Sequence, residues 1–367
     1  MKLIDAAMLA SKCCASNDSV ITSFKYICFD TDKILTYNGQ QGMKVKTEGI
    51  EHLKCVVPGK EFIDLLRAMD ESSTISVIDN VVEIKDKNTK AKLSSLKRKE
   101  FILESNDKAF ENKDAVELKL SEKFFSGLDK CFSAITTNPA ETNRLGITLD
   151  INSSGRISFY ATDGFQLARY RYKNKNVNKE IKVLMPKDFC SLIMSNDVKS
   201  LLLNGTIKIS SSLLSIEKDE VYLFSHLQSD VSFIDFEQSI TNHWGNNDDS
   251  KFVEMPDELI TALNRCSLIL KKEDDKVLIN TERNIMRITS VSDVGKVKEI
   301  IRVKGKLIDS EFLISISKMK DLLTVTKNIC ITETNKNFFV ILGQDVGVIR
   351  LLACIPTHKI KPDDKEE

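Results

Sequence analysis

Cysteine, histidine and carboxylate side chains are the residues of this chain that could do chemistry, and their spacing does not favour a catalytic or metal site. The 367 residues include nine cysteines and four histidines, and no two cysteines have the C-x-x-C spacing of a zinc or redox motif. The histidines lie far apart along the chain. The sequence has no G-x-S-x-G, H-E-x-x-H, phosphate-binding-loop or dinucleotide-binding motif. We therefore expect no enzymatic activity, no metal and no cofactor.

Asp163, next to Thr162, is the carboxylate that comes closest to a catalytic arrangement, within the stretch ATDGFQLARY at 161–170. If the protein were an enzyme, this pair, or a cysteine together with a histidine, would have to supply the catalytic residues. An Asp-Gly pair between two apolar runs is instead typical of a tight turn, because Asp accepts backbone hydrogen bonds and Gly tolerates positive φ. The stretch thus predicts two strands around a turn that carries Phe165 and Leu167. An aromatic ring beside a turn favours a docking surface over a catalytic site.

Composition is that of a globular protein without membrane or secretory character. Basic and acidic residues number 53 each, so the protein does not coat nucleic acid through an overall positive charge. No apolar run approaches the roughly 18 residues of a membrane span, and no secretory signal is recognisable at the amino terminus. The odd number of cysteines, scattered through apolar segments, predicts reduced, buried thiols in a cytoplasmic protein.

The chain repeats one supersecondary pattern three times, and the first sign of it is a helical motif. It occurs as VVPGKEFIDLLRAM at 56–69, VLMPKDFCSLIMSN at 183–196 and ISISKMKDLLTVTK at 314–327. Apolar residues recur at i, i+3 and i+4, which predicts a helix with one buried stripe. Pro58 and Pro186 stand where a proline is tolerated at a helix start. The copies are separated by about a third of the chain, as expected for an internal repeat.

Two further motifs recur in the same order. The segments LTYNGQQGMKVK, FYATDGFQLARYRY and RITSVSDVGKVKEII each predict strand, glycine-containing turn and strand. A basic residue precedes a cysteine on a predicted helix as Lys12-Cys13, Lys130-Cys131 and Arg265-Cys266. Because three motifs agree, we infer an α+β protein built from three similar domains. Their predicted ranges are 1–112, 113–250 and 251–355, followed by a mobile tail at 356–367.

With its repeats laid out in this way, the chain resembles the bacterial DNA polymerase III beta subunit, the replicative sliding clamp. The resemblance covers essentially the whole length and depends most on LKCVVPGKEFIDLLRAM, KAKLSSL and ATDGFQLARY, where the family typically has ATDGHRLA. It implies three clamp domains, each with two inner helices packed on an outer antiparallel sheet, and a dimer closed head to tail around duplex DNA. Such a clamp catalyses nothing; it tethers the polymerase at a high effective concentration. The divergence elsewhere suggests a phage-borne or otherwise atypical member.

The resemblance also implies a hydrophobic cleft that binds short peptides of the DNA polymerase and the clamp loader. The matching positions are Leu145, Thr162, Gly164, Phe165, Gln166, Leu167, Thr241, Ile349 and Leu351. Phe165-Gln166 replaces the usual His-Arg, and Thr241 stands near a usual proline, so we expect a more apolar and less basic pocket. The alternative is that Phe165 and Leu167 pack a seam between two domains.

A clamp must hold duplex DNA without reading its sequence and without gripping it, so a few cations suffice. The candidates for DNA contact are Lys12, Lys130 and Arg265, one in each repeat, together with Arg144 in the loop TTNPAETNRL. Lys60, Lys187 and Lys318, near the starts of the second helices, are weaker candidates. The alternative for each lysine is an ordinary solvated side chain.

The lysine-rich run IKDKNTKAKLSSLKRKEF at 84–101 allows three interpretations. It fits a nucleic-acid patch, an edge strand protected by lysine or, from the resemblance, the strand that meets the third domain of a partner chain. The resemblance assigns the dimer contact to Lys90, Leu93, Leu268, Ile269, Lys296 and Lys298. Family members commonly have acidic residues on the second side of this junction, so lysines there predict repulsion. A homodimeric ring and a monomeric clamp-like adaptor that binds peptides without encircling DNA therefore both stay open.

Overall fold

The repeat predicted from the sequence is present in the order of the secondary-structure elements. A computed structural model describes residues 1–15, 19–69, 73–103, 115–177, 179–244, 251–271, 274–333 and 339–356. Along the chain these residues form, three times over, a helix, four strands, a second helix and three strands, with a few short additions.

The first repeat consists of α1 (Leu3–Ser11), β1 (Tyr26–Asp30), β2 (Lys33–Tyr37), β3 (Gln41–Lys46), β4 (Val56–Pro58), α2 (Gly59–Ala68), β5 (Thr74–Ile78), β6 (Val81–Lys85) and β7 (Lys90–Ser94). The second consists of β8 (Val116–Lys119), α3 (Glu122–Phe132), β9 (Gly146–Ile151), β10 (Arg156–Thr162), β11 (Gln166–Lys173), β12 (Ile181–Pro186), α4 (Lys187–Met194), α5 (Asn196–Leu202), β13 (Thr206–Ile209), β14 (Leu213–Lys218) and β15 (Val221–His226). A connecting helix, α6 (Phe236–Trp244), follows. The third consists of β16 (Val253–Glu254), α7 (Glu258–Ser267), β17 (Lys276–Glu282), β18 (Ile285–Ser292), β19 (Gly295–Arg302), β20 (Ser310–Ser315), α8 (Ile316–Val325), β21 (Asn328–Glu333), β22 (Phe339–Asp345), β23 (Val348–Ala353) and β24 (Ile355–Pro356).

The helical motif forms α2, α4 and α8, as predicted. Its aligned apolar residues Phe62, Phe189 and Met319 are fully buried, so each helix turns the same stripe towards a core. Pro58 and Pro186 are the N-cap residues of α2 and α4, where the backbone amide has no helical acceptor to lose. The three helices therefore pack in the same way, and α2 and α4 also begin in the same way, whereas α8 begins after Ser315, whose side chain accepts a hydrogen bond from the Lys318 amide.

The cation-cysteine motif also has one structure in all three repeats. Cys131 and Cys266 are fully buried in the last turns of α3 and α7, and Cys13 is fully buried two residues beyond the end of α1. The preceding basic residue lies about 100° around the helix from the cysteine and so turns away from the core. Eight of the nine cysteines are buried, which confirms the prediction of buried cysteines.

The described residues divide into two compact units. Unit 1 comprises those within Met1–Phe125, Ile151–Gly155 and Asn174–Asp230, and unit 2 those within Ser126–Asp150, Arg156–Lys173 and Val231–Glu367. The division crosses the sequence repeats because strands from successive repeats pair with each other. It thus reports how the sheets are built rather than where one repeat ends.

In unit 1 an eight-stranded antiparallel sheet has the order β4-β1-β2-β3-β15-β14-β13-β8. The first repeat supplies one half of the sheet and the second repeat the other half. They meet where β3 pairs with β15, with Val45 opposite Val221. In unit 2 the strand order β9-β10-β11-β23-β22-β21-β16 follows the same plan, and β11 pairs with β23. Each unit thus contains one joint between successive repeats.

Two smaller sheets contain strands of the first and third repeats that take part in neither joint. Unit 1 has the three-stranded sheet β5-β6-β7, and unit 2 has the five-stranded sheet β19-β18-β17-β20-β24. Within the described part of the chain, β7 and β19 are therefore edge strands. The lysine-rich run therefore lies on an edge strand, as two of its three interpretations require: a strand protected from indiscriminate pairing by lysine, and a strand that meets a partner chain.

The predicted domain boundaries near residues 113 and 250 fall within 104–114 and 245–250, and nearly all of the predicted tail falls within 357–367. These segments lie outside the described ranges, so the limits of the three domains stay a prediction. Among the described helices, none has both the length and the apolar character needed to cross a membrane.

Candidate partner-binding and nucleic-acid surfaces

The turn between β10 and β11 is organised by its own side chains. Asp163 Oδ1 accepts hydrogen bonds from the backbone amides of Phe165, at 2.9 Å, and Gln166, at 2.8 Å. Thr162 Oγ1 donates to the Gln166 carbonyl at 2.6 Å and accepts from the Gly164 amide at 3.1 Å. Gly164 has a φ of +89°, which a residue with a Cβ rarely adopts. Asp163 is thus a turn residue, as predicted, and the turn leaves Phe165 63% exposed.

Two cations flank this turn. The Lys318 ammonium, on α8, contacts the Asp163 carboxylate and lies 5.0 Å from the centroid of the Phe165 ring. On the other side, Arg144 Nη1 lies 2.9 Å from the position that a Cβ on Gly164 would occupy. A side chain at position 164 would meet this guanidinium. The exposed Phe165 ring thus has the Lys318 ammonium beside it, and the turn that carries the ring is bordered by the Arg144 guanidinium.

Behind the turn, three of the predicted cleft residues meet in one apolar cluster. Leu167 pairs with Leu351 across β11 and β23, and Ile349 lies two residues along the same strand. These side chains pack with a cluster that includes Tyr160, Phe236 and Ile240. Leu167 is only 7% exposed, so Phe165, and not Leu167, offers accessible apolar surface.

Helix α6 is fastened over this cluster by a charged network. Tyr160 stacks on Phe236, with ring centroids 4.9 Å apart, and its hydroxyl donates to Glu237 Oε1 at 2.6 Å. Arg171 donates to Glu237 Oε1 at 2.5 Å and Arg169 donates to Oε2 at 3.2 Å. Partial burial acts to raise the pKa of Glu237, but the hydrogen bond from Tyr160 and the charges of both arginines outweigh it. The pKa of this carboxyl therefore lies below its usual value.

The remaining cleft candidates have other roles. Thr162 and Gly164 shape the turn, and the buried Gln166 donates from Nε2 to the Ser133 carbonyl at 2.8 Å. Thr241 is exposed on α6, where its hydroxyl donates to the Glu237 carbonyl at 2.8 Å. Leu145 is half-buried just before β9. From α6 the sequence analysis named Thr241 but missed Phe236, Glu237 and Ile240; the apolar i, i+4 pair was the available signal.

Arg350 is a second feature that sequence reasoning missed. It lies between Ile349 and Leu351 on β23, so its side chain projects to the opposite face of the sheet. It is 2% exposed, and its Nη2 donates to Ser133 Oγ at 2.9 Å. Its Nε and Nη1 have no acceptor among the described residues. Burial lowers the pKa of this guanidinium. The strand thus carries apolar cluster residues on one face and a buried cation on the other.

Three of the four predicted DNA-contacting cations are ion-paired with carboxylates. Lys12 lies 2.6 Å from Asp197, Arg265 lies 2.6 Å from Glu299, and Arg144 lies 3.3 Å from Glu141. Lys130 forms no ion pair with another residue that the structure describes. The hydrogen bond from Lys12 lowers the pKa of Asp197, and that from Arg265 lowers the pKa of Glu299. Lys318, one of the weaker candidates, lies on α8 and is paired with Asp163 of the β10–β11 turn.

The two edge strands differ in how their lysines are neutralised. On β7, Lys90 and Lys92 lie 3.0 and 3.2 Å from the carboxylate of Glu83, and their hydrogen bonds lower the pKa of that group. On β19, Lys296 and Lys298 are exposed and form no ion pair with another described residue. The other predicted junction residues present apolar surface: Leu268 is 81% exposed, and Leu93 and Ile269 are half-buried.

No protein-family model and no curated protein sequence matches the chain. Solved structures do match it, over almost its whole length. The DNA polymerase III beta subunit of Thermotoga maritima superposes with a TM-score of 0.80 at 19% identity, covering 96% of each chain. The fold is that of a bacterial sliding clamp.

Other clamp structures agree. The Bacillus subtilis DNA polymerase sliding clamp gives a TM-score of 0.78 at 17% identity, with 97% of each chain covered. The Helicobacter pylori beta clamp bound to a DNA ligase peptide gives 0.77 at 16% identity, with 96% of this chain and 97% of that one covered. These matches confirm the clamp fold that the sequence motifs predicted. The identities are low, so the fold is what the matches establish.

Proposed function

We propose that this protein is a DNA sliding clamp: two copies close into a ring around duplex DNA and tether a DNA polymerase through the surface at the β10–β11 turn. The clamp fold along almost the whole chain supports this function. The observation that carries it is that β7 and β19 are edge strands, whereas the equivalent strands of the other repeats pair with each other, β3 with β15 and β11 with β23. Pairing β7 of one copy with β19 of a second copy would give a third joint like the other two.

The joints within the units predict the register of this third joint. Strand β3 begins two residues after the turn glycine Gly39, and β11 begins two residues after Gly164. The aligned glycine of the third repeat is Gly295, so the equivalent residue in β19 is Val297. On the other side, β15 and β23 each follow a two-residue turn. The matching turn before β7 is closed by the Asp86 amide donating to the Thr89 carbonyl at 3.0 Å. If the third joint has the same register as these two, Val297 pairs with Leu93 and Lys298 pairs with Lys92 of the second copy.

The alternation of buried and exposed residues is consistent with this register. Val297 packs against the core of its own repeat, and Leu93 pairs with the buried Val82, so both belong to the helix-covered face of their sheets. Lys298 and Lys92 both belong to the exposed face. A shift by one residue would oppose a core-facing residue to a solvent-facing one, which a sheet with one covered face does not tolerate.

The second candidate function is a monomeric adaptor with the clamp fold. The like charges of Lys298 and Lys92 favour it, because directly opposed charges of one sign weaken a strand pair by a few tenths of a kcal/mol to about 1 kcal/mol. Glu83 lies beside Lys92 and offsets part of this repulsion. The mass in solution decides between the two functions: sedimentation at micromolar concentration gives twice the chain mass for the ring and the single chain mass for the adaptor.

Disulfide cross-linking tests the joint itself. Leu93→Cys combined with Val297→Cys should form intermolecular disulfides under mild oxidation, because opposed residues in a strand pair have Cβ atoms about 5 Å apart. The matched control, Leu93→Cys with Ile300→Cys, puts the second thiol on the other face and should cross-link much less. Equal cross-linking in both variants would contradict the register.

Retention on DNA tests the ring: a ring should stay on nicked circular duplex DNA but slide off linear DNA.

A further inference from the structure

We propose that Asp197 and Glu299 are built-in competitors of DNA phosphate: each holds one DNA-contacting cation, so that contact with DNA exchanges one anion for another. This inference rests on the proposed function. It adds a structural reason why the affinity for DNA stays low. The two carboxylates come from different elements and different repeats, yet they make the same kind of contact with equivalent cations.

The first pair joins the end of α1 to α5. Lys12 is the C-cap residue of α1, and Asp197 lies in the first turn of α5. The ammonium and the carboxylate oxygen are 2.6 Å apart, and the Asp197 side chain is more than half exposed. When a phosphate approaches Lys12 from solvent, the ammonium is therefore already bound to the Asp197 carboxylate.

The second pair joins α7 to β19 and has a stronger geometry. Arg265 donates from Nε to Glu299 Oε1 at 2.6 Å and from Nη2 to Oε2 at 2.8 Å. Two parallel bonds of this kind are also how a guanidinium binds phosphate. Glu299 is the more buried partner, and Arg265 stays half exposed. The carboxylate thus occupies the side of the guanidinium that would bind a phosphate in the same bidentate way.

An exposed ion pair contributes about 0 to 1 kcal/mol, so a phosphate can replace either carboxylate at little cost and with little gain. An unpaired cation would instead gain the whole phosphate contact and release about 0.9 counterions from DNA. The carboxylates therefore reduce both the affinity for DNA and its salt dependence. Weak contacts suit a protein whose retention depends on enclosing DNA and whose function requires sliding.

The experiment removes the carboxylates without removing the cations. Asp197→Asn, Glu299→Gln and the double variant are titrated against a fluorescent linear duplex of 30 base pairs at several salt concentrations. We expect each single variant to bind about threefold more tightly at low salt, and the slope of log affinity against log salt to steepen by about 0.9 per site. The double variant should show about twice the change in slope.

Asp293→Asn is the charge-matched control. It also removes one negative charge and frees one lysine, Lys271, from an exposed pair at 2.8 Å, but Lys271 is not among the predicted DNA contacts. Tightening that does not exceed that of this control would overturn the inference. Lys12→Ala with Arg265→Ala tests the proposed function separately. If this variant binds less DNA while the carboxylate variants equal the control, the DNA surface stands and the competition is wrong. If it binds DNA unchanged, the DNA surface itself is wrong.

Discussion

The ammonium of Lys318, on α8, contacts the carboxylate of Asp163 in the turn between β10 and β11. The two residues are 155 positions apart in sequence, and both side chains are largely shielded from solvent. The contact fixes the carboxylate that organises the turn and keeps a cation near the ring of Phe165. A helix of the third repeat thus supports the turn of the second repeat on which the proposed partner surface depends.

Removing this contact should weaken peptide binding as well as the fold. Lys318→Ala is expected to lower the affinity for a labelled polymerase peptide by about three- to tenfold and the free energy of unfolding by about 1 kcal/mol. Fluorescence anisotropy and urea denaturation measure the two effects. Lys320→Ala, on the same helix and without an ion pair to a described residue, is the control. Equal losses in the two variants would show that Lys318 has no special role.

Phe165 and Leu167 should separate binding from stability. Phe165→Ala removes an exposed ring and is expected to abolish peptide binding with little change in unfolding, whereas Leu167→Ala empties a buried site and should cost about 2 to 4 kcal/mol. Thermal unfolding and peptide titration of the two variants check this. Unchanged peptide affinity in folded Phe165→Ala would remove the docking surface from the proposal.

The network around Glu237 should make the attachment of α6 sensitive to acid. The folded-state pKa of this carboxyl lies below its usual value, so its contribution to stability is complete above the unfolded pKa of about 4.5 and is lost as pH falls through the lower, folded value. Urea denaturation between pH 7 and pH 3 should therefore show a steeper loss for the wild type than for Glu237→Gln. The control is Glu258→Gln, at an exposed position in α7. Parallel pH curves for wild type and Glu237→Gln would contradict this role.

Charge reversal at the proposed joint should strengthen the dimer. Lys298→Glu replaces a like-charge pair with an opposite-charge pair against Lys92 of the second copy, and each of the two joints should gain about 0.5 to 1 kcal/mol. Sedimentation equilibrium should give a dissociation constant at least fivefold lower at low salt, with the difference shrinking as salt rises. Lys304→Glu, beyond the end of β19, is the control with the same change in charge. A dimer equally strengthened by both variants would place Lys298 outside the joint.

The sequence by itself determined the features that depend on neighbouring residues. Helical periodicity predicted the buried stripes at Phe62, Phe189 and Met319, and turn chemistry predicted the tight turn at Asp163-Gly164. Repetition of these local patterns at regular intervals predicted the threefold plan and, through its resemblance to known clamps, the fold. Each of these signals is contained in a short segment, because hydrogen bonds within a helix or a turn join residues only a few positions apart.

Only the tertiary structure decided which distant residues meet. The sequence shows Lys12 and Arg265 as free cations, but the fold brings Asp197 and Glu299 against them. It likewise makes Leu167 a buried residue under α6. These outcomes depend on strand joints between successive repeats and on side chains that meet across several elements. Pairing of this kind has no short sequence period, because the partners are far apart along the chain and are set by the register of whole sheets.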